Sequence, residues 1–306
     1  MNKLRRVESI AAIDIGSNAI RLLINNVEDF EESKALKKNA YIRVPVRLGE
    51  DVFSFGIISE DKIKRFVETM RAFVHLMHVF NVRLYRACAT SAMREAENGL
   101  EVADRIYRET GLQIDVISGG EEAEIVFQAG FLDEFMDPDK HYLHVDVGGG
   151  STEIIVYFNH QKQTAFSYPI GTLRILAGAV SEEADDKFKK RLKKVAEEYG
   201  PFEVIASGGN INKTLKLLGK KDGDSVSYGS LKDFHKELSS LSFEERLEKY
   251  KMNSYRADVI VPALYIFLTV GKVCKVKNYI IPKVGLVDGI IRQLYGGHVE
   301  PKVLEV

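Results

Sequence analysis

Short apolar runs alternate with longer segments of helical periodicity along most of the chain. The short runs are rich in β-branched residues and bounded by turn residues, which is typical of strands. They are AAIDIG, RLLINNV, LYRACAT, IDVIS, YLHVDVG, EIIVYF, EVIASGG and NYIIP. Residues 59–80 repeat apolar side chains at helical spacing, and residues 100–110 do so more briefly before Gly111. Strands that alternate with helices predict an α/β fold with mixed sheets.

Composition and charge exclude several classes of protein. With 306 residues, of which 45% are hydrophobic, the chain can build two ordinary domains. Its 43 basic and 44 acidic side chains nearly cancel, so no global field points to nucleic acid or to a membrane surface. No apolar run reaches about 18 residues, and no secretion signal is apparent. Cys88 and Cys274 give neither a disulfide framework nor a zinc spacing. We therefore expect a cytoplasmic protein. The sequence is compatible with a homodimer.

One strand-turn-strand pattern occurs twice in the chain. AIDIGSNAIRLLI aligns with HVDVGGGSTEIIV, and aliphatic strand residues flank both turns. Three pairs of residues coincide in this alignment: Asp14 with Asp146, Gly16 with Gly148, and Arg21 with Glu153. The repeat predicts two similar halves divided near residue 120, with domains at 1–120 and 121–306. Two such lobes would leave a cleft between them, which is the usual place for a ligand.

The glycine turns indicate that an anion approaches the backbone. Successive N–H groups in a tight glycine turn converge into an anion site, so phosphate is the leading ligand. A dinucleotide-binding loop and a P-loop both require spacings that the residues around Gly148 and Gly208 do not supply. Asp14, Asp146 and Glu153 would face the same phosphates, and Mg²⁺ would reconcile these carboxylates with the anion. The alternative is that the aspartates merely cap the turns through hydrogen bonds to the backbone.

Seven motifs, taken in order, resemble those of the exopolyphosphatase and guanosine pentaphosphate phosphohydrolase family, within the actin, sugar kinase and heat-shock ATPase superfamily. They are AAIDIGSNAIRLLI, ATSAMREAENG, SGGEEAEIVFQAG, VDVGGGSTEI, YPIGTLRI, ASGGNINKT and VGLVDGII. The resemblance implies two ribonuclease H-like lobes with the active site between them, the last helix packing back on the first lobe. It also implies Mg²⁺-dependent release of the terminal phosphate from polyphosphate or from guanosine pentaphosphate. Longer members carry a C-terminal helical region, which we do not expect here.

The resemblance also assigns roles to individual residues. Glu122 matches the catalytic glutamate that would activate the attacking water, with Glu121 as its rival, and Arg94 matches a phosphate-binding arginine. The phosphate-binding residues that it implies are Gly16, Ser17, Asn18, Arg94, Gly148, Gly149, Gly150, Ser151, Thr152, Gly208 and Gly209. The metal ligands remain those inferred above from the turns.

Simpler interpretations exist for each of these features. Glu121 and Glu122 could serve the dipole of a helix, and Arg94 could pair with a neighbouring glutamate. Histidines 75, 78, 141 and 144 are predicted to be structural, and the basic run KFKKRLKKVAEEYG to form a solvated amphipathic helix that could also steer polyanions. Two other functions stay open: a non-catalytic sensor of polyphosphate or nucleotide, and an ATP-dependent small-molecule kinase of the same superfamily.

Overall fold

The computed structural model describes residues 4–30, 34–127, 129, 136–282 and 284–304, and the chain divides into two compact units. The first unit contains residues 1–130 and 285–306, and the second contains residues 131–284. Among the helices that these ranges contain, none is both long and apolar enough to span a membrane. Each unit is built around one mixed sheet, which confirms the predicted α/β class.

The first unit is a six-stranded sheet with helices. Its strands are β1 (Leu4–Ile15), β2 (Ile20–Phe30), β3 (Lys34–Val44), β4 (Val82–Ala89), β5 (Asp115–Val116) and β12 (Lys302–Val303). Its helices are α1 (Leu48–Phe55), α2 (Glu60–Val79), α3 (Ser91–Glu95), α4 (Gly99–Thr110), α5 (Gly119–Phe127) and α13 (Leu286–Gly296). The Ser59 side chain caps α2, and Gly111 ends α4 in the left-handed region at φ 73°, as the apolar periodicity predicts.

Helix α5 belongs to the first unit, although the sequence placed the division near residue 120. Ile125 and Val126 of α5 are buried in one cluster with Leu286 and Ile290 of α13. The two helices approach so closely that a Cβ on Gly289 would lie 1.9 Å from the carbonyl oxygen of Ile125. Contacts between distant parts of the chain therefore move the division to residue 130 and bring the last helix onto the first unit.

The second unit is also a six-stranded sheet with helices. Its strands are β6 (His141–Val147), β7 (Thr152–Phe158), β8 (Gln161–Tyr168), β9 (Phe202–Ser207), β10 (Ser225–Ser227) and β11 (Asn278–Ile280). Its helices are α6 (Thr172–Leu176), α7 (Glu182–Tyr199), α8 (Gly209–Leu217), α9 (Tyr228–Ser240), α10 (Phe243–Tyr250), α11 (Ser254–Ala257) and α12 (Ile260–Val273). Helix α7 buries Phe188, Leu192 and Val195 and exposes most of its lysines, as predicted for the basic run.

The two sheets share one strand order. The first runs β3-β2-β1-β4-β5 and the second β8-β7-β6-β9-β11, with β12 and β10 as additional strands. In each sheet the first two pairings are antiparallel and the next two are parallel. This is the arrangement of a ribonuclease H-like lobe, so the structure confirms the fold class and shows that the internal sequence repeat reflects two copies of one topology.

Candidate phosphate-binding site

The first glycine turn joins β1 to β2, as the strand-turn-strand pattern predicts. Asp14 lies opposite Arg21, and the N–H of Gly16 donates to the carbonyl of Ala19 at 3.2 Å. Residues 16–19 therefore form a tight turn at the end of two buried strands.

Most carbonyl oxygens in and beside this turn accept hydrogen bonds from the protein, whereas two of its backbone N–H groups donate none. The carbonyls accept from backbone N–H groups as follows: Ile15 from Thr90 at 3.1 Å, Ser17 from Gly49 at 2.9 Å, and Asn18 from Arg47 at 3.2 Å. In the described part of the chain, the N–H groups of Ser17 and Asn18 donate to no protein acceptor. A turn with occupied acceptors and unused donors suits an anion.

Contacts within the first unit connect this turn to Arg94 and to the beginning of α5. The hydroxyls of Ser17 and Ser91 lie 2.8 Å apart, so the turn contacts the first residue of α3. Arg94, three residues further along α3, donates from Nη1 to the carbonyl of Ile117 at 2.6 Å. It makes no ion pair with Glu95 or Glu97 in the described structure, so the simpler interpretation of Arg94 is not the one observed.

The two glutamates of α5 have different surroundings. The carboxylate of Glu121 accepts from Nη2 of the buried Arg86 at 2.8 Å, while its N–H is capped by the hydroxyl of Ser118 at 3.1 Å. Glu121 is therefore part of an ion-pair network that holds α5 to β4. Glu122 is half-buried on the first turn of the same helix, and its N–H donates to the carbonyl of Ser118 at 2.9 Å. Glu121 therefore has a structural role within the first unit.

The second glycine turn, between β6 and β7, repeats the first. Asp146 lies opposite Glu153, and the N–H of Gly148 donates to the carbonyl of Ser151 at 3.0 Å. The hydroxyl of Thr152 donates to the carbonyl of Ile170 at 2.5 Å, and this side chain is fully buried. Thr152 thus fastens the hairpin to the segment before α6, a task that its predicted role in phosphate binding did not include.

Residues at the beginning of α6 occupy the carbonyls of the three glycines. The acceptor and donor pairs are Gly148 O with Thr172 N at 3.1 Å, Gly149 O with Leu173 N at 2.8 Å, and Gly150 O with Arg174 Nε at 2.9 Å. The N–H groups of Gly149 and Gly150 donate to no acceptor among the residues that the structure describes. Both turns therefore present backbone donors, which is the property that the triple glycine predicts.

Gly171 allows this close packing. A Cβ at residue 171 would lie 2.5 Å from the carbonyl oxygen of Gly149 and 2.5 Å from the nitrogen of Gly150. Because both neighbours are backbone atoms, neither can turn aside, and any larger residue would displace the loop. Gly171 and Arg174 lie in the motif YPIGTLRI, but the sequence alone assigned neither a role.

The Gly208-Gly209 segment lies beside the second turn. Gly208 has φ +113°, and a Cβ there would lie 2.8 Å from the carbonyl of Val147 and 3.1 Å from Oδ1 of Asp146. Helix α8 begins at Gly209, so its N-terminus and the Asp146 carboxylate are neighbours. The structure thereby brings the predicted residues 146, 148–152 and 208–209 together in the second unit.

The predicted metal ligands differ between the two hairpins. Asp14 is ion-paired with Arg21, so a protein cation already balances its charge. In the second hairpin the same cross-strand positions hold two carboxylates, those of Asp146 and Glu153, and Glu153 also accepts from the hydroxyl of Ser167 at 2.8 Å. The described residues contain no group of three or more histidine, cysteine or acidic side chains arranged to hold a metal. Any cation would therefore need ligands from substrate or water.

Two buried ionisable groups near the turns are kept neutral. Burial lowers the pKa of His144 to about 4, and its Nε2 lies 2.9 Å from the hydroxyl of Ser207, in agreement with the structural role predicted for it. Cys88 pairs with Asp14 across β4 and β1, and burial raises the pKa of its thiol to about 12. Neither group carries charge near neutral pH, so neither serves as a thiolate nucleophile or a cationic phosphate ligand.

Comparison with known proteins places this geometry in a family. Residues 31–298 match the Ppx/GppA phosphatase family. The chain is 34% identical over 267 residues to a bifunctional 3-dehydroquinate synthase/phosphatase of Fusobacterium nucleatum, covering 81% of this chain and 39% of that protein. It is 24% identical over 297 residues to the guanosine-5'-triphosphate,3'-diphosphate pyrophosphatase of Photobacterium profundum, covering 93% and 59% of the two chains. The chain thus spans between 39% and 59% of the length of these two relatives.

A solved structure extends the similarity to the fold. The crystal structure of the Aquifex aeolicus member of the Ppx/GppA family is 26% identical in sequence and superposes with a TM-score of 0.76. The superposition covers 96% of this chain and 100% of that one, so both sheets and their helices correspond.

Proposed function

The chain belongs to the Ppx/GppA phosphatase family, and on that premise we propose that it is a phosphohydrolase that releases the terminal phosphate from linear polyphosphate or from guanosine pentaphosphate. The motif resemblance supports both substrates, and the similarity to a guanosine-5'-triphosphate,3'-diphosphate pyrophosphatase supports the nucleotide.

The observation that carries the proposal is the state of the two glycine turns. In each turn, N–H groups of neighbouring residues donate to most of the carbonyls, while the N–H groups of Ser17, Asn18, Gly149 and Gly150 find no acceptor in the described protein. Backbone donors left in this way bind oxyanions without adding a full charge. A substrate made of successive phosphates supplies enough oxygen atoms to use several such donors.

The chemistry of the first unit follows from its side chains. Hydrolysis of a terminal phosphoanhydride needs a positioned water and positive charge at the equatorial oxygens of the phosphoryl group. In our proposal Glu122 orients the water and accepts its proton, while the guanidinium of Arg94 binds two equatorial oxygens. The hydrogen bond from Arg94 to the carbonyl of Ile117, close to the beginning of α5, supports a common task for the two side chains.

Two carboxylates of the second hairpin are the candidates for holding a magnesium ion. Asp146 and Glu153 are directly opposite on adjacent strands, and two carboxylates in that arrangement favour a cation between them. We propose that they hold Mg²⁺, while Asp14 keeps its ion pair with Arg21. When bound, the ion would neutralise charge on the substrate phosphates.

Phosphate release is the direct test. The protein is incubated with Mg²⁺ and, in separate reactions, with short polyphosphate, long polyphosphate or guanosine pentaphosphate, and free phosphate is measured. We expect release from at least one substrate. Binding of the same substrates without turnover, at high protein concentration, would contradict hydrolysis and favour a sensor. Transfer of phosphate from ATP to a small-molecule acceptor would favour a kinase instead.

A further inference from the structure

A pocket lies in the second unit, away from the glycine turn of that unit. Its volume is about 1080 Å³, enough for a ligand of ordinary metabolite size. The pocket is lined by the first residues of β9 and β11, Phe202 and Asn278. Gly208 follows the opposite end of β9, and a strand of this length spans roughly 17 Å. The pocket is therefore separate from the turn around Gly148.

Two helices supply the walls of this pocket through one face each. Helix α7 contributes Lys189, Lys193 and Ala196, which recur at the spacing of one helical face. Helix α12 contributes four residues that also lie on one helical face: Tyr265, Leu268, Thr269 and Lys272. The basic run that the sequence marked as a solvated helix thus turns one row of lysines towards a cavity.

The charge of the pocket is mainly positive. Lys272, Lys275 and Lys277 line it and, within the described ranges, make no ion pair with an acidic group. The other two lining lysines have acidic partners on their own helix: Lys189 with Asp185, and Lys193 with Glu197 at 3.9 Å. Glu197 and Glu203 are the acidic lining residues, and Glu203 lies 3.9 Å from Lys140. Three lysine ammonium groups therefore remain for an anionic ligand.

The pocket also has aromatic and apolar lining residues, among them Tyr228, Tyr265 and Leu268. Tyr265 is 44% exposed, so its ring is accessible to a ligand in the pocket. The ring of Tyr228 packs directly on Gly271, where a Cβ would lie 2.6 Å from its Cδ2 atom, so its position is fixed by the helix. A bare phosphate chain would use the lysines and leave these surfaces in water.

We propose that this pocket binds a nucleotide, with its base against Tyr265 and Tyr228 and its phosphates on Lys272, Lys275 and Lys277. The flat, apolar base matches the tyrosine wall, and the phosphates match three ammonium groups that extend from one short segment. The site is independent of the glycine turns and does not depend on the hydrolytic function proposed for them.

The test measures binding of ADP by isothermal titration calorimetry to the complete chain and to two triple variants. The pocket variant is K272A/K275A/K277A. The matched control, K187A/K190A/K194A, removes three exposed lysines of α7 that do not line the pocket. We expect the pocket variant to bind ADP about tenfold more weakly, as loss of three exposed charge contacts implies, and the control to change less than about twofold. Circular dichroism checks that all three proteins are folded.

Tyr265→Ala separates a nucleotide from a simple polyanion. We expect this variant to lose affinity for ADP while its affinity for tripolyphosphate is unchanged. Equal ADP affinity of the two triple variants, or no ADP binding by the unaltered chain at millimolar concentration, would overturn the proposal. Equal loss of ADP and tripolyphosphate binding in Tyr265→Ala would overturn the part assigned to the base. Calorimetry measures binding and does not depend on catalysis. These results can therefore be interpreted even if the protein releases no phosphate.

Discussion

Replacement of Arg86 by methionine should lower the free energy of unfolding of the first unit more than replacement of a surface arginine by methionine. Arg86 is 7% exposed on β4. Its guanidinium donates to Asp115 at 3.1 Å, to Gln293 at 2.6 Å and to Glu121 at 2.8 Å. One side chain thereby connects β4, β5, α5 and α13. Arg86→Met keeps the apolar stem and removes all three donors.

The magnitude follows from the exposure of the partners. Breaking a buried ion pair by removal of one member costs about 3–5 kcal/mol, because the other charge stays buried. Here the side chains of Asp115 and Glu121 are 30% and 45% exposed, so water can solvate them once the arginine is gone. We therefore expect a loss of about 2–3 kcal/mol in the free energy of unfolding.

Urea unfolding followed by far-ultraviolet circular dichroism measures this loss. At a slope of about 2 kcal/mol per molar urea, the midpoint for the first unit should fall by about 1 M or slightly more. Arg105→Met is the matched control, since Arg105 also pairs with two carboxylates, Glu60 and Glu109, but on the surface. It should shift the midpoint very little. Equal shifts in the two variants would refute the reasoning, because burial would then not decide the cost.

Three further variants test other parts of the structure. In the folded chain the pKa of His144 is about 4, below its ordinary value of 6.5, so stability present above pH 6.5 should be lost as the pH falls. The loss between pH 7 and pH 5 should be about 2 kcal/mol in urea unfolding, and His144→Gln should flatten that dependence; an unchanged slope would contradict it. Gly171→Ala should weaken substrate binding, seen as a raised KM, whereas Gly229→Ala, which meets only ordinary contacts, should not; equal effects would contradict the role of the close approach. Arg94→Lys should lower kcat about 100-fold, because an ammonium group cannot bind two phosphoryl oxygens at once as the planar guanidinium does. Full activity of this variant would exclude bidentate binding by Arg94.

The sequence predicted the two hairpins well. The repeated strand-turn-strand pattern predicts one hairpin in each half of the chain, and the structure contains both, with Asp14 opposite Arg21 and Asp146 opposite Glu153. Strand period and turn length are short-range properties, so the residues themselves carry this information.

Contacts between distant segments could not be predicted in the same way. The buried contact between Ile125 and the helix around Gly289, which assigns α5 to the first unit, depends on residues far apart in the chain. The same is true of the close packing of Gly171 against the second glycine turn and of the hydrogen bond between Ser17 and Ser91. The ion pair between Asp14 and Arg21, by contrast, is a local contact that the hairpin register and the opposite charges would have been enough to find.

The assignment of Glu122 as the group that activates water is the central claim, and single-turnover phosphate release tests it most directly. Glu122→Gln and Glu121→Gln are compared with the unaltered chain on the substrate that it hydrolyses fastest, with substrate binding measured in parallel. We predict that Glu122→Gln loses at least about 100-fold in the rate of release and keeps its affinity, while Glu121→Gln keeps most of its rate. Rapid release by Glu122→Gln, or a larger loss in Glu121→Gln with the fold intact, would contradict the account.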